Sequence, residues 1–198
     1  MKLLHKFCVL ALASTLTMTS GAMAQDDTTT NSEEFPTGTE PVVQPGQTYA
    51  REVFGDWELL CIKTPEGPEP CEIGQLILDA NATPVSDVRI FPLPQGSAAI
   101  AGANFITPLG VLLQSGLVFG IDDKEFKQYP YQFCNNIGCI ARVGFTPLEL
   151  QAMRKGEVGK MTFRMANAPD KPANIELSLK GFAAAFAALS KLQLEQSQ

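Results

Sequence analysis

Cysteine is the residue type whose spacing in this chain indicates a specific chemistry most clearly. Four cysteines fall into two close pairs, with nine residues between Cys61 and Cys71 and four between Cys134 and Cys139. Such pairs could form disulfides, hold a zinc ion or act as a redox couple, but neither spacing matches a zinc knuckle or a C-x-x-C motif. The sequence therefore predicts structural disulfides. Of the three possible connectivities, the local one (Cys61–Cys71 and Cys134–Cys139) needs the least chain closure.

Histidine chemistry is restricted to one position, His5, in an N-terminal segment that also contains the fifth cysteine, Cys8. That segment has a basic start, an apolar stretch and the small-x-small site Ala22-Met23-Ala24, the order of a secretory signal peptide. The apolar stretch is shorter than the ~20 residues that a membrane-spanning helix needs. We therefore predict that residues 1–24 are a cleaved signal peptide, and that the exported chain begins at Gln25. That chain contains no histidine, which excludes Ser-His-Asp and Cys-His catalysis and histidine metal ligation.

Two groups of acidic residues could be catalytic or could bind a metal. Asp122, Asp123 and Glu125 are close in sequence but lack the D-x-D-x-D-G spacing of a calcium loop, so they are predicted to form a solvated turn. Asp56 beside Trp57 could combine a catalytic carboxylate with a sugar-stacking ring, but a single tryptophan is more typical of a core residue. The sequence thus predicts no catalytic, cofactor-binding or metal-binding residue and favours a protein that is not an enzyme.

Charge and composition define the domain organisation. The 198 residues correspond to about one domain and carry a net charge of −6, which does not favour nucleic acid as a partner. Residues 25–48 contain five acids, three prolines and no base, so they are predicted to be a disordered acidic linker. Residues 49–198 are predicted to form the folded domain.

The elements that must hold the cysteines are mostly short strands. Apolar runs alternate with turn residues at intervals typical of an antiparallel β-sandwich or barrel. The segment Ile90–Ile121 carries no charge, but eight prolines and glycines interrupt it, so buried β-structure is favoured over a membrane span. The predicted strands cover residues 53–62, 72–79, 88–93, 98–106, 111–121, 126–133, 140–145, 161–166 and 175–180.

Two helices complete the pattern. The first should begin at Thr146-Pro147, because threonine is a good N-cap and proline suits the first helical position, and it should end by Gly156. The second should span residues 182–194. Its apolar stripe could dock on a membrane or pack on the sandwich, and packing is favoured because Lys191 is its one cation. The stripe consists of Phe182, Phe186 and Leu189.

Several motifs occur in one order between about residues 50 and 192: Phe54-Gly55-Asp56-Trp57 followed by Cys61 and Cys71, Pro108-Leu109-Gly110, the segment 133–141, and Ser178-Leu179-Lys180-Gly181-Phe182. Together they resemble the invasion-associated locus B (IalB) family of bacterial exported proteins. The resemblance implies an immunoglobulin-like antiparallel β-sandwich with a short C-terminal helix, located in the periplasm or at the outer cell surface. It also implies a role linked, in pathogenic members, to host-cell invasion, and it brings no catalytic residue or cofactor.

The sequence and the resemblance together predict an exported, disulfide-stapled binding module whose partner is an envelope or host protein. The mature chain is predicted to have no integral membrane span and no nucleic-acid partner. Two alternatives stay open. One is a periplasmic structural or chaperone-like factor, which exposed apolar patches or strand edges would favour. The other is a hydrolase that uses carboxylates alone, which requires two carboxyl groups that face each other roughly 5–9.5 Å apart in a cleft.

Overall fold

The computed structural model describes residues 38–39, 41–94 and 96–196. The predicted signal peptide (residues 1–24) and most of the predicted linker (residues 25–48) lie outside the described residues. The segment Pro41–Gln198 forms one compact unit. Within the described part of the chain, no helix is both long enough and apolar enough to cross a membrane.

The larger layer of the fold is a seven-stranded antiparallel sheet. Its first five strands are neighbours in both sequence and space, and the sheet is completed by a hairpin from later in the chain. In spatial order the strands are β1 (Thr48–Phe54), β2 (Trp57–Ile62), β3 (Cys71–Leu78), β4 (Pro84–Pro92), β5 (Ala101–Thr107), β9 (Gly138–Phe145) and β8 (Tyr131–Asn135).

The second layer is a four-stranded antiparallel sheet, and two helices follow strands of the two sheets. The two antiparallel sheets and the C-terminal helix confirm the predicted all-β sandwich. The strands, in spatial order, are β11 (Ala168–Ser178), β10 (Val158–Met165), β6 (Leu117–Ile121) and β7 (Lys124–Tyr129), and the helices are α1 (Pro147–Lys155) and α2 (Phe182–Gln196).

Three predicted strands are divided in the structure, each at a glycine or a proline. Residues 53–62 form two strands, because Gly55 (φ 62°) and Asp56 make a tight turn in which Phe54 pairs with Trp57. Residues 111–121 contain a 3₁₀ turn before β6 begins. Residues 126–133 are divided at Pro130, where the chain passes from one sheet to the other, because proline has no N–H to continue a ladder.

Aromatic side chains fill the space between the two sheets. Phe105 of β5 and Phe145 of β9 meet Phe119 of β6, with ring centroids 5.0 to 6.4 Å apart. All three rings are buried, and the tilted and edge-on arrangements are those that aromatic rings prefer. This cluster therefore holds the four-stranded sheet against the β5–β9 half of the larger sheet.

Helix α2 packs on the other half of the larger sheet, against β1 to β4. Trp57 has no exposed surface, and its ring meets that of Phe182 edge-on at 5.1 Å. Trp57 is therefore a core residue, as predicted. The stripe of Phe182, Phe186 and Leu189 is buried, which confirms that α2 packs on the sandwich.

Hydrogen bonds join the β1–β2 turn to the end of β11, although about 120 residues separate them. The Trp57 indole donates to the Ser178 carbonyl at 2.8 Å, and the Ser178 hydroxyl donates to the Asp56 carboxylate at 2.6 Å. The Asp56 amide donates to the Lys180 carbonyl at 3.1 Å. The amide side chain of Gln75, on β3, bonds both the carbonyl and the N–H of Ser178. These contacts join the motif at residues 54–57 to the motif at residues 178–182, which leads into α2. We call this set of contacts the turn–helix junction.

Candidate functional site

The predicted disulfides form with the local connectivity. Cys61 of β2 and Cys71 of β3 are directly paired across the sheet and bonded, and Cys134 of β8 is bonded in the same way to its pairing partner Cys139 of β9. Each bridge therefore fastens two neighbouring strands. Each bond crosslinks residues that the sheet already pairs.

The disulfides lead to a first prediction. A chain that begins at Gln25 should expose no thiol when it is denatured without reductant, and four thiols after reduction. Replacing both Cys61 and Cys71 by serine should lower the free energy of unfolding by roughly 2–3 kcal/mol, because the crosslink restricts the unfolded chain. Thiol titration and urea unfolding measure the two effects. Two or more free thiols per unreduced chain would contradict the pairing.

The acidic residues between β6 and β7 form a tight two-residue turn. Asp122 and Asp123 both have positive φ, 48° and 59°, as in the turns that close hairpins. The Asp122 carboxylate accepts hydrogen bonds from the Glu157 and Val158 amides, which lower its pKa, and Asp123 pairs with Lys160 at 2.8 Å. No group of potential metal ligands occurs among the residues that the structure describes. The side chains of this turn thus fasten the hairpin to β10.

A surface depression lies between this hairpin and α1. It has a volume of about 640 Å³. One wall is the β6–β7 hairpin, the other is α1, and Phe145 of β9 contributes to the floor. We call it the α1 cleft. Its lining includes Phe119, Ile121, Asp122, Lys124, Tyr129, Phe145, Leu148, Glu149, Ala152, Lys155 and Gly156.

Helix α1 forms one wall of the cleft, and the sequence fixes both ends of this helix. The Thr146 hydroxyl accepts a hydrogen bond from the Glu149 amide while the Glu149 carboxylate accepts one from the Thr146 amide, a capping box. At the other end, a Cβ on Gly156 would lie 2.7 Å from the Ile121 side chain. Glycine therefore allows the end of the helix to approach the hairpin closely. The predicted first helix is confirmed, from Thr146-Pro147 to Gly156.

Glu149 is the electrostatic centre of the cleft wall. Its carboxylate accepts a hydrogen bond from the Lys127 ammonium group of β7 at 2.6 Å, which joins α1 to the hairpin. Burial raises the pKa of Glu149, but the bonds from Lys127 and Thr146 outweigh it, so the net pKa lies below its usual value. Burial and the Glu149 charge raise the pKa of Tyr129. Glu149 is therefore ionised and fully engaged at neutral pH.

The pKa of Glu149 leads to a second prediction. A carboxyl group with a lowered folded-state pKa stabilises the protein above its unfolded pKa of about 4.5, and this contribution is lost as pH falls through the folded-state value. Glu149→Gln keeps a capping-box residue but loses the charge. The free energy of unfolding of this variant should therefore fall less between about pH 5 and pH 3 than that of the wild type. Urea unfolding at several pH values measures the slope, with Glu66→Gln in an exposed loop as control. Equal slopes for wild type and Glu149→Gln would contradict it.

The open part of the cleft combines apolar surface with positive charge. Leu148, at the start of α1, is 77% exposed, more than any other leucine among the described residues. Lys124 and Lys155 lie on the rim, and neither forms an ion pair within the described residues. The acids of the cleft, Asp122 and Glu149, are already engaged by other groups of the protein. The rim of the cleft therefore presents two lysines and an exposed leucine, and the charge of Lys124 also acts on Asp122 and lowers its pKa.

The carboxyl groups of the cleft do not resemble a hydrolytic pair. Such a pair needs one acid with a raised pKa and one without, facing each other. Both cleft acids, Asp122 and Glu149, have lowered pKa values. Burial raises the pKa of Glu72, but Glu72 lies on β3 near Arg89 (3.9 Å) and does not line the cleft. The exposed leucine and the two rim lysines of the cleft suit binding through apolar contact and charge.

The fold and the site together define a class of protein: a disulfide-stapled antiparallel β-sandwich with an apolar, positively rimmed cleft at its surface. The family model of the invasion associated locus B (IalB) protein matches residues 57–190, and the chain belongs to this family.

Relatives and a solved structure agree with this assignment. Two invasion protein B homologues of Brucella abortus, from strain 2308 and from biovar 1 strain 9-941, are each 25% identical to this chain over 149 residues, which cover 71% of this chain and 79% of the relative. The crystal structure of invasion associated protein B from Bartonella henselae has the same fold, with a TM-score of 0.65 at 24% identity. The match covers 73% of this chain and 97% of that one.

Proposed function

We propose that this chain is exported through a cleaved signal peptide and acts in the cell envelope as a non-enzymatic binding module. The α1 cleft would be its binding surface. The observation that carries the proposal is the exposed Leu148 beside Lys124 and Lys155, two cations without ion-pair partners among the described residues. The complementary partner is a protein segment that offers an apolar side chain flanked by carboxylates.

Three further observations support export and a binding role. Two disulfides are typical of proteins that fold in an oxidising compartment. The first 24 residues have the order of a signal peptide. Relatives of this chain are named invasion protein B homologues, which fits a partner in the envelope or on a host cell. A role in host-cell invasion would then follow from what the cleft binds.

The location is tested by protease treatment of intact cells and of cells whose outer membrane has been opened. Digestion in intact cells would locate the domain at the outer surface and favour a host or environmental partner. Protection until the membrane is opened would locate it in the periplasm, where the partner is another envelope protein. Protection in both preparations, with the chain in the cytoplasmic fraction, would contradict export.

The binding role is tested by complementation of a deletion strain. Leu148→Glu puts a carboxylate at the lysine rim, and the first turn of a helix tolerates an acid. This variant should fail to restore host-cell entry or envelope integrity, whichever phenotype the deletion produces. The control is Leu109→Glu, at a residue that is 54% exposed in the turn after β5 and does not line the cleft. Equal restoration by both variants, at equal protein levels, would contradict a function for the cleft.

A further inference from the structure

The two sheets end in four border strands, and β8 differs from the other three. A border strand has unpaired backbone N–H and C=O groups that can pair with another chain, and charged residues or prolines normally prevent this. β1 contains Arg51 and Glu52, β7 contains two lysines, and β11 contains two prolines, an aspartate and a lysine. β8 reads Tyr-Gln-Phe-Cys-Asn (Tyr131–Asn135), with neither a charge nor a proline.

The β8 border is also exposed and apolar. Its residues from Gln132 to Asn135 are exposed, and Phe133 is 45% exposed. Ile137, at the tip of the hairpin that β8 forms with β9, is 63% exposed. The Arg142 guanidinium lies over the Phe133 ring at 5.6 Å and leaves nearly half of this side chain open to solvent. Apolar surface and unpaired backbone therefore occur together at this border.

The β8 border is held in a fixed conformation before any partner arrives. The Cys134–Cys139 disulfide bonds it to β9, and the Asn135 side chain accepts a hydrogen bond from the Ile137 amide at 3.0 Å. A Cβ on Gly138 would lie 2.3 Å from the Thr107 carbonyl oxygen, so the hairpin tip is fixed against the neighbouring strand. A preorganised strand loses little conformational entropy when it pairs. A bulge at Gln132 limits the regular ladder to Phe133–Asn135, so the pairing should be weak.

We propose that β8 is a self-association surface, at which two copies of this chain pair antiparallel and continue the seven-stranded sheet across a two-fold axis. An uncharged, partly apolar edge pairs best with a strand of the same kind, and among the border strands of the described residues β8 is the one without a charge or a proline. A two-fold axis brings the same patch of each copy together, so the two Phe133 side chains would lie at the centre without like-charge repulsion. The proposal does not depend on the function of the α1 cleft.

Sedimentation equilibrium of the chain that begins at Gln25 tests this proposal, from about 10 µM to about 1 mM. A single strand pair is smaller than a standard interface, so the expected Kd is on the order of 10⁻⁴ M. Because β8 itself carries no charge, and salt would screen any repulsion between the two Arg142 guanidinium groups, Kd should not rise between 50 and 500 mM salt. A monomer at every concentration would overturn the proposal.

Variants locate the interface. Phe133→Glu should weaken the dimer at least about tenfold, because the apolar contact of the two rings at the axis is lost and a carboxylate of each copy would have to give up water there. Val53→Lys introduces a charge at an exposed apolar residue of β1 and should leave Kd unchanged. Leu148→Glu, in the α1 cleft, should also leave it unchanged. A dimer that survives Phe133→Glu, or that either control removes, would overturn the assignment to β8.

Discussion

Gly181→Ala is expected to lower the free energy of unfolding by about 3–5 kcal/mol. Gly181 has φ 89°, and a Cβ at this position would lie 1.8 Å from the Phe54 carbonyl oxygen and 2.5 Å from its carbon. Both atoms belong to the backbone of the β1–β2 turn and cannot rotate away. The substitution must therefore separate the turn from the start of α2, which breaks the turn–helix junction. Urea unfolding followed by the fluorescence of Trp57, the one tryptophan of the chain, measures the loss.

The matched control is Gly46→Ala. Gly46 has nearly the same backbone conformation, φ 86°, but a Cβ at this position would meet no atom within 4 Å beyond its chain neighbours, so the substitution tests backbone strain alone. It should cost about 1 kcal/mol. Equal losses for the two variants would show that the short contact with Phe54 does not determine the stability of the junction.

The features that could be predicted from the sequence rest on local signals. The pairing of Cys134 with Cys139 follows from a short turn sequence between them, and the start of α1 follows from Thr146-Pro147, whose preferences act within one helical turn. The alternation of short apolar runs and turn residues predicts an antiparallel sandwich, because strands with one buried face need that pattern. Each of these signals requires no knowledge of distant residues.

The features that were missed depend on distant residues. A glycine within an apolar run is compatible with a bulge or with a close backbone approach, and at Gly55 the structure has a turn in which a Cβ would lie 2.8 Å from the distant Lys180 carbonyl oxygen. The α1 cleft was not predicted because its walls come from separate segments of the chain. One local signal was present: Leu148 lies off the buried stripe that Leu150 and Met153 define on α1.

Phe182→Ala is expected to lower the free energy of unfolding by about 3–5 kcal/mol and to shift the native fluorescence of Trp57 to longer wavelength. Phe182 is fully buried at the start of α2, between the Trp57 ring at 5.1 Å and the Phe186 ring at 5.8 Å. Truncating Phe182 leaves a cavity beside the indole. This cavity lowers the free energy of unfolding and lets water reach the Trp57 ring. Fluorescence-detected and circular-dichroism-detected urea unfolding measure the two effects, and the control is Phe126→Ala, at a half-exposed ring of β7, with an expected loss below about 1 kcal/mol.

The same experiment decides whether α2 belongs to the cooperative core. The helix contributes Phe182, Ala185, Phe186 and Leu189 to the interior, so its loss would expose the β1–β4 half of the larger sheet. Fluorescence and circular dichroism should therefore report one coincident transition for both the wild type and Phe182→Ala. A separate early transition in circular dichroism, with Trp57 still buried, would show that α2 is an appended helix. In that case the apolar stripe of α2 could dock on a membrane. The burial of this stripe on the sandwich argues against that alternative.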